Sequence, residues 1–576
     1  MPRSYHISCA TGSLVLQIVA ILLFGTEVCA NDVTMRAEIR KLGHEDSTVR
    51  KAAIMALAKT GDSRVEELLE SYRLGELYLW DARVVLCKEF FEDEDFNQFC
   101  RISDVLTADP IVDEIGNPNQ IPIELLQEIS PSRKERKLAN GAKFLVRLSS
   151  RDADVRMSGA KKCGDPPAIV ESFRQLQEMA EKDPVKKIRY IAKESLLLIR
   201  LNQNALHQNS RVHLATVEEL GNMRSIRGLP RLQELFHGHM KDEKGRKSVN
   251  PNANTIYEYA IDQIEGYQGF VGGFGNVFRG FSLGSVLILM ALGLAITFGL
   301  MGVINMAHGE LMMIGAYATF EMQRLFGHSP EKPCDWYFVV ALPVAFLAAA
   351  CVGYLIEALI VRHFYRRPLE SLLATWGVGL VLIQLVRIRY GDNIGVNAPT
   401  WARGGVEVLQ DLIFPYSRCF IILLCGTVVW LIYYLMNYTK LGLRMRATMQ
   451  NRNMANSMGV NTQRVDRYTF AFGSGVAGIA GCAWTLIGGV TPDMGQTNFI
   501  IDSFLVVVTG GVGELIGVIW AGLGIGVLTK VIEPTQIGSF TVGAIWAKIL
   551  LLIVIVAFIQ FKPAGLFAPK GRVSDV

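Results

Sequence analysis

The sequence predicts an all-α protein built for two solvents: a soluble helical domain followed by a polytopic helical membrane domain with re-entrant or broken helices. Three observations lead there. Half of the 576 residues are hydrophobic and 19% are charged, and the charges crowd into the part before about Phe270. Beyond that point apolar runs of roughly 20 residues recur, and such a run in a bilayer must be a helix because its backbone has to satisfy its own hydrogen bonds. The same half is punctuated by glycine, the residue that lets membrane helices approach closely. A chain with many spans most often moves something across a membrane. The net charge of +4 is too small to point to nucleic acid.

The first element is a leader. Arg3 and His6 precede an apolar stretch from Leu14 to Phe24, and Val28-Cys29-Ala30 offers small residues to a signal peptidase. Residues 1–30 therefore read as a secretory signal peptide, which would export residues 31–270. An uncleaved signal anchor is the bland alternative.

Repeated units fill that exported region. Val49-Arg50-Lys51-Ala52-Ala53 runs to Thr60-Gly61-Asp62; Asp154-Val155-Arg156 leads to Gly164-Asp165; Val185 to Arg189 leads into Ile191-Ala192; Val212 to Leu220 ends at Gly221-Asn222. Helix, glycine turn and second helix is the plan of a HEAT-like solenoid. The glycines are expected to end each first helix in a left-handed cap. A Pro-containing insert from Asp109 to Pro131 breaks the spacing. Cys87, Cys100 and Cys163 have no metal-type spacing, and a Cys87–Cys100 disulfide is one pairing they allow. Cys351, Cys419, Cys425 and Cys482 fall in apolar segments and read as small packing residues.

The membrane domain, residues 271–576, holds apolar segments at Phe281–Leu300, Val303–Phe320, Trp336–Val361, Ser371–Ile388, Cys419–Asn437, Tyr468–Gly489, Phe499–Val531 and Val542–Phe561. Two basic loops, Arg362–Arg367 and Lys440–Arg467, should face the cytoplasm; the second carries six Lys or Arg against Asp466 alone. The tail with Lys562, Lys570 and Arg572 looks cytoplasmic too. Eight simple spans from an outside N-terminus would leave it outside. Phe499–Val531 resolves the conflict if it is two elements, because it is long and broken at Gly510-Gly511-Val512-Gly513.

One string is specific enough to carry a resemblance: Gly299-Leu300-Met301-Gly302-Val303-Ile304-Asn305-Met306-Ala307-His308-Gly309-Glu310. With Gly315-Ala316-Tyr317, Leu441 to Ala447, Met458-Gly459-Val460-Asn461, Phe504 to Gly517 and Lys562 to Phe567, it resembles the branched-chain amino acid permease family of ABC transporters over residues 275–572. Within that family the exported extension, Ala374-Thr375-Trp376-Gly377-Val378 and Ile516 to Gly522 resemble the urea-permease subgroup, the UrtB type. The resemblance implies a plasma-membrane importer in which this chain is a transport subunit, not an enzyme. Its partners would be a second permease subunit, two cytoplasmic ATPase subunits and a periplasmic substrate-binding protein.

The residues agree with that division of labour. No G-x-x-x-x-G-K-[ST] loop is present, so the chain is expected to bind no cofactor itself and to leave ATP to its partners. In the family Arg444–Arg467 resembles the segment that docks an ATPase. Arg446 would begin it and Ala455, Met458 and Gly459 end it, with Met454 and Met458 as an apolar face; the bland reading is a basic loop that only sets topology. Asn305, His308 and Glu310 are read either as pathway lining or as a cap on the second helix, where the helix dipole favours Glu310. Thr375, Gln384 and Thr509 are further pathway candidates, and neighbour hydrogen bonding is the alternative for the first two. Asp502 and Glu514 flank the glycine break and read as pathway border or interfacial anchors. Urea, small and neutral, would need a few uncharged polar groups and no buried pair of opposite charges. Branched-chain amino acids or short amides are the alternative cargo, and a passive channel or a membrane sensor the alternative class.

Overall fold

The computed structural model describes residues 32–567 except 82, 93–97, 113–119, 167–168, 204–210, 244–250, 303–304, 330–333, 365–366, 538–539, 542 and 564. The expected leader, 1–30, and the tail residues Lys570 and Arg572 lie outside the described residues. The chain divides into two compact units between Tyr267 and Gln268.

The first unit opens with α1 (residues 32–41), α2 (Ser47–Lys59) and α3 (Arg64–Leu74). In α2, Ala53, Ile54, Leu57 and Ala58 bury one face, and the Asp46 side chain caps the start by accepting from the Thr48 N–H at 2.8 Å. Then come α4 (Arg133–Leu148), α5 (Ala153–Gly164), α6 (Phe173–Lys182), α7 (Lys186–Gln203), α8 (Arg211–Asn222) and α9 (Leu229–Glu243). Ser132 and Glu135 form a capping box on α4. Glu135 is fully buried and also accepts from Ser47 Oγ (2.8 Å) and Arg50 Nε (3.0 Å), which locks α2 to α4. Burial alone would raise its pKa, but Arg50, the Ser132 N–H and Ser47 together hold it down at about 2.

The sequence repeat has a bonded counterpart. Arg50, Arg156 and Arg189 each donate to a main-chain carbonyl six residues back, at His44 (2.8 Å), Ser150 (2.9 Å) and Asp183 (2.9 Å). The glycine caps are corrected. Of Gly61, Gly164 and Gly221, Gly61 alone is left-handed (φ 69°). Gly164 and Gly221 instead serve close approach: an added Cβ would lie 2.8 Å from the Ser195 Cα and 2.8 Å from the Ala260 Cα.

One region departs from the helical expectation. Residues 77–128 hold a five-stranded antiparallel sheet, β1 (Leu77–Trp80), β2 (Arg83–Glu92), β3 (Gln98–Ser103), β4 (Gln120–Pro122) and β5 (Gln127–Glu128), in the order β4-β3-β2-β1-β5. Val85, Cys87, Cys100 and Ile102 form one buried face, and a Cys87–Cys100 disulfide joins β2 to β3. Val, Ile, Phe, Tyr and Trp in these strands favour extended backbone, and the sheet buries residues on both faces of β2, Val84 and Leu86 on one and Val85 and Cys87 on the other.

Helix α10 (Pro251–Met301) runs unbroken through the expected boundary at 270. The second unit continues with α11 (His308–Leu325), α12 (Trp336–Leu359), α13 (Pro368–Tyr390), the hairpin β6 (Gly405–Leu409) and β7 (Leu412–Pro415), α14 (Tyr416–Tyr438), α15 (Lys440–Gln450), α16 (Arg452–Ser457), α17 (Thr462–Trp484), α18 (Ile500–Gly510), α19 (Leu515–Ile532), the strand pair β8 (Gln536–Ile537) and β9 (Phe540–Thr541), and α20 (Gly543–Phe561). Six helices among the described residues are long and apolar enough to cross a membrane: Ala253–Gly299, Trp336–His363, Leu369–Tyr390, Tyr416–Tyr438, Leu515–Ile532 and Gly543–Phe561.

Helix α17 is the central packing element, with glycine on several sides. A Cβ on Gly481 would fall 1.9 Å from the Met312 carbonyl oxygen of α11, one on Gly473 2.7 Å from the Gly293 oxygen of α10, and one on Gly478 2.4 Å from the Ala345 oxygen of α12. Backbone meets backbone at each contact, so helix identity here is set by absent side chains.

The long Phe499–Val531 segment is two helices. Gly510 meets Gly517 backbone to backbone, and Gly511 (φ 105°) and Gly513 (φ 87°) take left-handed values between them. At 11 residues α18 is roughly 16 Å long, about half a bilayer core. Its final carbonyls are not left orphaned: Thr509 O accepts from the Leu566 N–H (2.8 Å) and Gly510 O from the Phe567 N–H (3.3 Å). The Lys562–Phe567 string is thus the cap of the break.

Candidate functional site

Two features of the second unit stand out, a buried polar junction and an exposed segment between spans. The junction begins where α10 ends. The chain takes a left-handed turn at Gly302 (φ 64°) and enters α11 at His308. His308 is fully buried and bonds the Met290 carbonyl through Nε2 at 3.0 Å, so Nε2 carries the proton. A Cβ on Gly293 would lie 3.0 Å from that imidazole. Met290 and Gly293 precede the end of α10 by eight or more residues, so α11 starts level with the interior of α10. Irregular backbone at such a depth is tolerated where it is buried in protein or lines a path.

Helix α13 closes the junction. The Met306 N–H donates to Thr375 Oγ1 at 3.1 Å, and the Glu310 carboxyl carbon lies 3.1 Å from where a Gly379 Cβ would be. Ser371, Thr375 and Gly379 fall four residues apart on the buried face of α13. Behind α11, Gly309 meets Gly495 backbone to backbone at the turn leading into α18. Asn305 Oδ1 accepts from the Ala307 N–H at 3.1 Å, a cap-like bond. Asn305 Nδ2, His308 Nδ1, Glu310 Oε2 and Ser371 Oγ are all buried with no hydrogen-bond partner among the described residues. Unpaired buried polar atoms cost roughly 1–3 kcal/mol each, so four in one place mark a site with work other than stability.

The structure therefore brings together Asn305, His308, Glu310 and Thr375. It does not bring in the other two pathway candidates. Gln384 is exposed on the outer side of α13. Thr509 lies at the end of α18 beside the tail, its Oγ1 buried and without a partner among the described residues. Ser371 and Gly379 escaped sequence reading; their spacing from Thr375 was the available signal.

The exposed segment is α15 and α16 with their caps. Thr439 Oγ1 accepts from the Gly442 N–H at 3.2 Å and Asn451 Oδ1 from the Met454 N–H at 2.9 Å, so each helix start is fixed. Gly459 (φ 83°) turns the chain after α16. Ala455 is the inward residue, while Met454 (63% exposed) and Met458 (79%) point outward. Arg446 lines a cavity of about 350 Å³ with Met449, Asn437, Gly513 and Glu514, so the segment and the glycine break share a wall. Asp502, in the first turn of α18, is ion-paired with Lys548 at 3.9 Å.

With this geometry in view, comparison with known proteins is decisive. Residues 276–559 match the family described as branched-chain amino acid transport system / permease component. This stretch, just under half of the chain, is similar to the permease components of that family. Among relatives, the probable branched-chain amino acid permease LivH of Methanocaldococcus jannaschii is 26% identical over 289 residues, 49% of this chain and 88% of the relative. LivH of Salmonella typhimurium is 29% identical over 263 residues, covering 44% and 83%. BraD of Pseudomonas aeruginosa is 24% identical over 294 residues, covering 50% and 93%. No solved structure matches the chain. These relatives are transport components, not enzymes, and the permease domain is a membrane-spanning transport subunit of the same kind.

Proposed function

We propose that the chain is the permease subunit of an ATP-driven importer whose cargo is urea, taken up through the junction between α11 and α13. The observation that carries this reading is the junction's chemistry. Asn305 Nδ2 offers a donor, while His308 Nδ1 and Glu310 Oε2 offer acceptors, all buried and uncommitted. Urea presents one carbonyl acceptor and four N–H donors, which that set complements. Leaving an amide unpaired in apolar surroundings would cost roughly 2–7 kcal/mol. The extension and the 374–378 and 516–522 strings support urea over larger cargo.

The family implies the rest of the machine: a second permease subunit, two ATPase subunits and a substrate-binding protein. Met454 and Met458 form the apolar tip that an ATPase groove would receive. Orientation follows from counting. With α18 and the turn before it taken together as one crossing, α10–α14 and α17–α20 make nine membrane elements, an odd number that supports the reading of the first unit and the tail on opposite sides. The basic loops then face the cytoplasm and the repeat unit, read as HEAT-like, faces outward behind a cleaved leader. The Cys87–Cys100 disulfide fits that compartment, because such bonds persist in oxidising surroundings.

Branched-chain amino acids are the second reading, favoured by the relatives' names and by Glu310, whose carboxylate would suit an ammonium group. Uptake of labelled urea and labelled leucine at micromolar concentration, in cells with and without the chain, separates the two. Loss of urea uptake alone supports the proposal, and loss of leucine uptake alone overturns it.

A further inference from the structure

Helix α16 is six residues long and buries one side chain, Ala455. So short a helix has almost no stability of its own. Something must hold it if it is to transmit force. Its first residue, Arg452, is ion-paired through Nη2 with Asp466 Oδ2 on α17. Asp466 is 2% exposed, and one residue on, Arg467 reaches Glu357 of α12 at 3.3 Å, with Glu357 1% exposed. The Glu357 charge also acts on Asp466, so two buried carboxylates on adjacent helices repel each other. Asp466 faces Arg452 of α16, and Glu357 faces Arg467 of α17. Lifting α16 away would strip the Asp466 counter-charge and leave carboxylates buried beside one another, an arrangement far costlier than never forming the pair.

From there the contacts are close, with glycine backbone against the neighbouring helix. A Cβ on Gly353 of α12 would fall 2.4 Å from the Ser474 Cβ of α17. Helix α17 is then in direct contact with α11 at Gly481 and with α10 at Gly473, the helices that frame the junction. Packing of this kind moves as a body and not by local give.

We infer that the Arg452–Asp466 pair is a strut that makes α16, α17 and α12 move as one, so that displacement of the exposed segment reaches the junction. Arg452 and Asp466 are positioning residues; neither touches cargo. The inference rests on the reading of α15–α16 as the ATPase contact.

The test is hydrogen–deuterium exchange on the full importer in nanodiscs, with and without ATP, for wild type, Arg452→Gln, Arg452→Lys and the doubly neutral Arg452→Gln/Asp466→Asn. In wild type, ATP should change protection in α16 and α17 together. In Arg452→Gln and in the double variant the α16 change should persist and the α17 change fall at least fivefold, while Arg452→Lys keeps most of it. The double variant guards against misfolding, because it leaves no unpaired charge at this site. If α17 responds in the double variant as in wild type, the strut is refuted although the docking reading stands. If α16 itself is unmoved by ATP in wild type, the docking reading fails and takes the strut with it.

Discussion

Replacing Gly315 with Ala places a methyl group where no room exists. The new Cβ would sit 2.1 Å from the Gly478 carbonyl oxygen and 2.5 Å from its Cα. Carbon–oxygen contacts settle near roughly 3.3 Å, so α11 and α17 must separate by about 1.2 Å. Retreat is blocked on the far side, where Gly475 already lies against the Phe346 ring and Gly478 against the Ala345 carbonyl. Overpacking of this kind costs about 1–3 kcal/mol, a factor of roughly 5 to 150 in the folding equilibrium. Because α11 carries His308 and Glu310, uptake should fall with stability. The assay is the thermal midpoint of the full chain in nanodiscs, with Gly377→Ala and Gly524→Ala as controls. Both control glycines have nothing within 4 Å of an added Cβ, and Ala is the better helix former by about 0.8–1 kcal/mol. The controls should match or exceed wild type while Gly315→Ala melts several degrees lower. Equal midpoints for all three would refute the close-packed seam.

Other outcomes follow from the same coordinates. Met458→Glu should leave folding untouched, because the side chain is 79% exposed, yet abolish ATP-driven uptake by putting a carboxylate into an apolar groove; uptake at the normal rate would rule out the docking segment. Glu135 has a folded pKa of about 2 against an ordinary 4.5, so its contribution is complete above about pH 4.5 and is lost as pH falls towards 2. On the order of 2–3 kcal/mol is at stake, and Glu135→Gln should flatten the pH dependence of exchange protection in α2 and α4 over that window; an unchanged slope would refute the assignment. Maleimide should label Cys87 and Cys100 only after reduction in chain isolated without reductant, and labelling beforehand would contradict export to an oxidising compartment.

Much of the membrane unit was legible because lipid allows so few backbone solutions. The apolar segments, the break at Gly510–Gly513 and the basic loops all follow from hydropathy and glycine placement. The sheet at 77–128 was not legible as such. Its strands are short and mixed with charge, and Arg83–Glu92 alternates only in part. Glycine was read too narrowly in the first unit: the same residue type ends a helix at Gly61 but admits a neighbouring backbone at Gly164 and Gly221. At the junction, sequence named Asn305, His308 and Glu310 as one group and Thr375 apart from them. That Thr375 closes on Met306 across 69 residues is a tertiary fact, as are the burial of Ser371 and the outward placement of Gln384. The ion pairs behind α16 were equally hidden, because a basic loop reads the same whether its arginines meet solvent or buried carboxylates.

The central claim is that cargo passes the junction at the start of α11. Asn305→Leu tests it most directly, since leucine keeps the branched outline of asparagine at a larger volume while removing the free donor, together with the oxygen that accepts from the Ala307 N–H. In proteoliposomes holding the complete importer, ATP-driven uptake of labelled urea should fall at least tenfold while ATP hydrolysis and the amount of assembled complex stay near wild type. Urea uptake at the wild-type rate in that variant would contradict the account.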